Sequence, residues 1–215
     1  GIGMGRTRRT KRKEFEVGLL KENQPYLVVD TETGGLRPGE NALIEVSYAI
    51  IVNRFIPVRR QLLMHDRKVI TEKALEVNGY ERNIIRTYGS DVAAAEQFAL
   101  DLGKVTEMYN PDEVIIPVGH NVRFDLKFIE AWLRDVHMGE YFDFYFGKPL
   151  DTLDLAKDAR NRGWIKTENA KLETIAEYFG CHREGAHTAK VDVEMTIDVL
   201  ERLLQLKKRK IEEIE

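Results

Sequence analysis

The sequence predicts one α/β domain: a mixed five-stranded sheet, its first three strands antiparallel, with helices packed on it. Three observations carry that expectation. Residues 26–64 hold three strand-like apolar runs whose connections are too short for crossover helices. Beyond residue 90, apolar stripes at helical spacing alternate with short apolar runs. No internal repeat or linker breaks the body, and 215 residues suit a single domain with a full hydrophobic core.

Residues 1–20 read as a disordered arm, since the first thirteen are basic and almost without apolar content. It is either a solubilising tail or a nucleic-acid-binding arm. Residues 21–215 read as the folded domain. Tyr26–Asp30 is a β-branched strand that ends on an acid, and Thr33-Gly34-Gly35 turns the chain. Leu43–Val52 and Pro57–Met64 are the next strands, joined through Asn53–Ile56. Val92, Ala95, Ala99, Leu102, Val105 and Tyr109 share one helical face, and Asn110-Pro111-Asp112 stops that helix. Val114–Val118 is a strand, and Phe124, Phe128 and Trp132 stripe the helix after it. Pro149–Leu155 holds a last short strand, within a segment, Asp143–Lys171, to which no role is assigned. Lys171–Phe179 is a compact helix closed by Gly180. A long final helix buries Val193, Ile197, Leu200 and Leu204.

Composition excludes several classes. No stretch approaches the roughly 20 apolar residues of a membrane span, and the N-terminus has no apolar signal-peptide core. Cys181 is the sole cysteine, so an intrachain disulfide is impossible and a cytoplasmic location is the default. Arg6, Arg8, Arg9, Lys11, Arg12 and Lys13 put +6 on the first thirteen residues, so a net charge of −3 leaves the rest at −9. An acidic body suits a protein that holds a short polyanion end with metal ions better than one that grips a long duplex.

Three pairs of residues carry chemistry. In Asp30-Thr31-Glu32 an extended backbone points both carboxylates to one face, at a strand end where open sheets expose their crevices. Asn121 is placed to cap the helix after the fourth strand, with Asp125 one turn in on the same side. His187 and Asp192 lie about 140° apart on a helix, so they converge only if His187 sits in the loop before it. Each feature alone is ordinary: turn acids, a dipole-favoured aspartate, a surface histidine. Together, four acids and a histidine form an oxygen-rich set that favours Mg²⁺ or Mn²⁺ over zinc. Carboxylate clusters of this kind hold two ions about 3.5–4 Å apart for in-line displacement at phosphorus.

These residues resemble the DnaQ-like DEDDh 3′–5′ exonucleases of the ribonuclease H-like superfamily, over Tyr26 to about Leu206. The first motif stands as Asp30-Thr31-Glu32-Thr33-Gly34-Gly35-Leu36, the second as Gly119-His120-Asn121-Val122-Arg123-Phe124-Asp125, and the third as His187 with Asp192. Members with a tyrosine place it nearer the last aspartate, where Thr188 and Ala189 stand here. The resemblance implies a ribonuclease H-like fold and stepwise release of nucleoside 5′-monophosphates from a 3′ end. It assigns one ion to Asp30, Glu32 and Asp192, a second to Asp30 and Asp125, and proton transfer to His187. It also implies substrate contacts. Thr31, His120 and Asn121 line the site, and the backbone N–H groups of Thr33 and Gly34 meet the 3′ end. Leu36 acts as a wedge under the last base with Phe124 beside it, and the Val77–Tyr80 loop contributes Asn78. Ribonuclease T-type members carry aromatics at the positions of Leu36 and Val77, so the resemblance does not extend to their base discrimination.

The expected partners are nucleic acid 3′ ends, DNA before RNA, with a polymerase or repair protein as a further candidate. The alternatives are an exoribonuclease that trims RNA tails or short oligoribonucleotides, and a nucleic-acid-binding accessory protein without catalysis.

Overall fold

The structure is a computed structural model describing residues 20–109, 114–184 and 188–215. The basic arm, the helix stop at Asn110-Pro111-Asp112 and His187 lie outside the described residues. A mixed sheet forms the centre: β1 (Tyr26–Thr33), β2 (Leu43–Val52), β3 (Phe55–His65), β4 (Gly89–Ser90), β5 (Ile116–Gly119) and β6 (Leu150–Asp151) lie in the order β4-β3-β2-β1-β5-β6. β1, β2 and β3 are antiparallel neighbours, as the short connections predict. β5 runs parallel to β1 and β6 parallel to β5.

The helices are α1 (Glu72–Asn78), α2 (Arg82–Ile85), α3 (Asp91–Tyr109), α4 (Val122–Asp135), α5 (Gly139–Tyr145), α6 (Thr152–Asn161), α7 (Leu172–Tyr178) and α8 (Ala189–Ile214). Strand alternation divides the core into two layers. Leu27 and Val29 of β1 join Phe98, Leu102 and Val105 of α3 and Phe128, Ile129 and Trp132 of α4 on one face. Tyr26 and Val28 join Val193, Leu200 and Leu204 of α8 on the other. A further cluster locks α6 and α7 to α8 through Ala156, Ile175, Met195 and Val199.

The sheet departs from expectation at its edges. Among the described residues it has six strands rather than five, because Gly89-Ser90 pairs in parallel with Met64-His65, too short a run for periodicity to register. The short strand expected within Pro149–Leu155 is present at Leu150–Asp151, after which Thr152 starts α6. Val77 and Asn78, expected in a loop, end α1. Thr71 Oγ1 caps that helix by accepting from the Ala74 N–H at 3.1 Å, and Gly79 closes it in the left-handed conformation (φ 73°). α5, with the sequence GEYFDFY, is rich in residues of strand propensity. It is helical because Phe142 and Tyr145 pack on the core of α3 and α4, and tertiary burial overrides propensity.

Candidate active site

Asp30 and Glu32 lie on the face of β1 that α8 covers, because they continue the alternation of Tyr26 and Val28. Thr188 caps α8, its Oγ1 accepting from the Val191 N–H at 3.4 Å, and this places Asp192 in the first helical turn. Asp30, Glu32 and Asp192 each bring one carboxylate oxygen to within 4.8 Å of the others. Such a gathering of like charges is unfavourable without cations, and the acidities record it. Burial raises the Asp30 pKa well above the ordinary carboxylate range, and Asp125, Asp192 and Glu32 add to the effect. Glu32 is pushed up to about 8, first by burial and then by Glu45, Asp192 and Asp125.

Asp125 arrives from α4. Its Oδ1 accepts from the Thr31 N–H at 3.1 Å and from Thr31 Oγ1 at 2.6 Å. Burial raises its pKa to about 7 against the opposing pull of those two bonds. It stands beside the group of three rather than within it. Thr31, expected against substrate, is buried and spends both donors on Asp125.

The turn from β5 into α4 also differs from expectation. Asn121 occupies the N-cap position with φ 64°, but its side chain makes no capping bond. Asp151, thirty residues on, supplies the cap: its Oδ1 accepts from the Asn121 N–H at 2.9 Å and its Oδ2 from the Val122 N–H at 3.1 Å. His120 is engaged within the protein through both ring nitrogens, Nδ1 2.9 Å from Thr152 Oγ1 and Nε2 2.7 Å from the Ala170 carbonyl oxygen. Burial lowers its pKa, so the neutral ring is favoured. It therefore pins two loops together instead of offering nitrogens to a ligand.

In the turn after β1, Gly34 donates its N–H to the Ala42 carbonyl at 2.7 Å, and that bond takes the group expected to meet a 3′ end. Glycine is required for another reason: a Cβ here would lie 2.7 Å from the Val69 carbonyl oxygen, part of the protein's own backbone. Thr33 donates through Oγ1 to the Gly35 carbonyl at 2.7 Å, and Asn78 Nδ2 donates to the Thr33 carbonyl at 3.3 Å, so α1 braces the turn. Leu36 is 81% exposed and Val77 69% exposed, so both are open to a ligand rather than part of the core. Phe124 is half-buried, its ring centroid 5.1 Å from that of Phe128.

One functional candidate escaped the sequence reading. Glu45 of β2 stands opposite Glu32 and is fully buried. It accepts from Ser47 Oγ (2.7 Å), Gln61 Nε2 (3.0 Å), the Lys190 N–H of α8 (3.2 Å) and the Tyr80 hydroxyl. It ties the first turn of α8 to the sheet beside the cluster. The available signal was an acid inside the otherwise apolar run Leu43-Ile44-Glu45-Val46, which must have partners to be buried.

Comparison with known proteins gives matches at the level of family and fold. The exonuclease family RNase_T matches residues 27–200. The PolC-type DNA polymerase III of Thermotoga petrophila is 27% identical over 90% of this chain, and the match spans 13% of that polymerase. The 3′-5′ exonuclease DinG of Staphylococcus aureus is 25% identical over 81% of the chain, spanning 18% of DinG. The chain thus covers under a fifth of either relative. Among solved structures, E. coli exonuclease I in complex with a dT13 oligonucleotide shares the fold, with a TM-score of 0.74 and 17% identity over 88% of this chain and 43% of that one.

Proposed function

The chain belongs to the RNase_T exonuclease family, and from that premise we propose that it is a divalent-metal-dependent exonuclease that shortens single-stranded DNA from the 3′ end. The product would be nucleoside 5′-monophosphates. The observation that carries the reading is the convergence of Asp30, Glu32 and Asp192 within 4.8 Å, with Asp125 fixed alongside by Thr31. Such a hard-oxygen, mutually repelling donor set fits Mg²⁺ or Mn²⁺. Asp30, Glu32 and Asp192 would hold one ion, with Asp30 and Asp125 serving a second. Bound there, the two ions would supply the Lewis acidity for water attack at phosphorus and for the charge on the departing 3′ oxygen. His187 would take the proton of the attacking water, a task that imidazole side chains serve at neutral pH. Thr33, Leu36, Asn78 and Phe124 border the terminal nucleotide, Leu36 through its exposed side chain. Asn78 acts through the Thr33 carbonyl.

DNA is favoured over RNA because the relatives named above are a DNA polymerase and an exonuclease solved with dT13. A polymerase is the partner class that the first of these points to. The deciding assay uses matched DNA and RNA oligonucleotides labelled at the 5′ end. Ladders should shorten from the 3′ end with Mg²⁺ or Mn²⁺, stop in excess EDTA and stall at a 3′-phosphate. Full activity in EDTA, or shortening from the 5′ end, would refute the reading. Faster loss of RNA would move the substrate to the exoribonuclease alternative.

A further inference from the structure

We propose that Asp151 and Thr152 are positioning residues for Asp125, holding the Gly119–Val122 turn from which its helix starts. The inference rests on the reading of Asp125 as a metal-side carboxylate. These two adjacent side chains tie down four consecutive residues. Thr152 Oγ1 lies 3.1 Å from the Gly119 carbonyl and 2.9 Å from His120 Nδ1, and its one proton serves either of these acceptors at a time. Asp151 accepts from the Asn121 N–H at 2.9 Å and the Val122 N–H at 3.1 Å, one on each carboxylate oxygen. Asp151 Oδ1 also accepts from the Leu153 N–H at 2.9 Å, so one carboxylate caps α4 and α6 together.

The turn needs outside support. Asn121 adopts φ 64°, a left-handed conformation that L-residues adopt at a cost, and its own side chain forms no capping bond. Gly119 runs so close to β1 that a Cβ would sit 3.0 Å from the Val29 carbonyl oxygen. The first N–H groups of a helix have no internal partner, and a carboxylate satisfies them while complementing the helix dipole. Val122, held this way, precedes Asp125 by three residues, so any slip at the helix start is passed to the Asp125 carboxylate and its bonds to Thr31. The Gly119–Asp151 strand pairing and the full burial of Thr152 make the support rigid. This gives the 143–171 segment a task that its sequence does not declare.

The test compares Asp151→Asn and Thr152→Val with Ala156→Gly, which weakens the same helix through a residue without a hydrogen-bonding side chain. Mn²⁺ binding is titrated without substrate by electron paramagnetic resonance, and kcat and KM are measured on a short single-stranded DNA. Asp151→Asn should lower kcat about 10–100-fold with KM nearly unchanged, because a misplacement of about 1 Å is enough. It should weaken the Mn²⁺ site that Asp125 serves and spare the one held by Asp30, Glu32 and Asp192. Thr152→Val should act in the same direction, and it decides the matter if Asp151→Asn does not fold. Ala156→Gly should keep kcat at an equal drop in melting temperature. The proposal is overturned if the two variants lose no more kcat than Ala156→Gly, or if both Mn²⁺ sites weaken together. A wild-type protein that neither binds Mn²⁺ nor shortens the oligonucleotide would overturn the functional reading itself, and this inference with it.

Discussion

Glu32 and Asp125 hold their protons in the folded protein at pH values where free carboxyls have lost them, at about 8 and about 7 respectively. Both are raised above the ordinary values of 4.5 and 3.8, so the folded state binds protons that the unfolded chain releases. Stability from this source is complete below about pH 4 and drains away as pH climbs through 7 to 8. In chelator the melting temperature should therefore fall between pH 5 and pH 8, and Mg²⁺ should restore more at pH 8 than at pH 5. Glu32→Gln should flatten the chelator curve and melt above wild type at pH 8; parallel curves for the two proteins would show that Glu32 does not carry the effect. A second contrast separates Asp192 from His187. Asp192→Asn should weaken metal binding and turnover together, and raising the pH should not rescue it. His187→Ala should leave metal affinity intact and lose about 10²–10⁴-fold in rate, with partial recovery at higher pH as hydroxide becomes available. Identical metal titrations and pH–rate profiles for the two would refute this division of roles.

At the level of elements, the site is a meeting of one turn and two helix starts, each braced by a polar side chain from elsewhere. Asn78 of α1 braces the turn after β1, Asp151 the start of α4, and Glu45 the start of α8. The first of these is also the tightest. Gly34 exchanges backbone bonds with Ala42 and Thr71 at 2.7 and 2.8 Å, and a methyl group there would press on the Val69–Ile70 backbone, which has no rotamer to yield. Gly34→Ala should destabilise the protein by about 1–3 kcal/mol, as overpacking does. Because the turn carries Leu36, KM should rise as well. Wild-type melting and KM in this variant would mean that the 66–71 segment moves aside without cost.

Across the whole molecule, charge is divided between a basic first thirteen residues and an acidic remainder. If the arm binds phosphates, deleting residues 1–13 should raise KM on long strands and flatten the dependence of binding on salt, since fewer counterions are released. kcat on very short oligonucleotides should stay as it was. An unchanged salt slope would leave the arm a solubilising tail. Among the described residues no helix is long and apolar enough to cross a membrane.

The antiparallel opening of the sheet, the helix stripes and the paired acids were legible in sequence because each is a local pattern. Strand alternation alone places Asp30 and Glu32 on one face, whereas the Thr188 cap that puts Asp192 in the first turn of α8 emerged only from the structure. Partners distant in sequence were not legible. Asp151 reaching Val122, Glu45 reaching Lys190, and Thr31 reaching Asp125 span 29, 145 and 94 residues, and no period or spacing encodes them. For the same reason the His120 ring and the Gly34 N–H were read as facing a ligand, whereas they meet other parts of the chain. Periodicity settles which way a side chain points. What it points at depends on which elements pack together, and that is set by burial of the apolar faces in three dimensions.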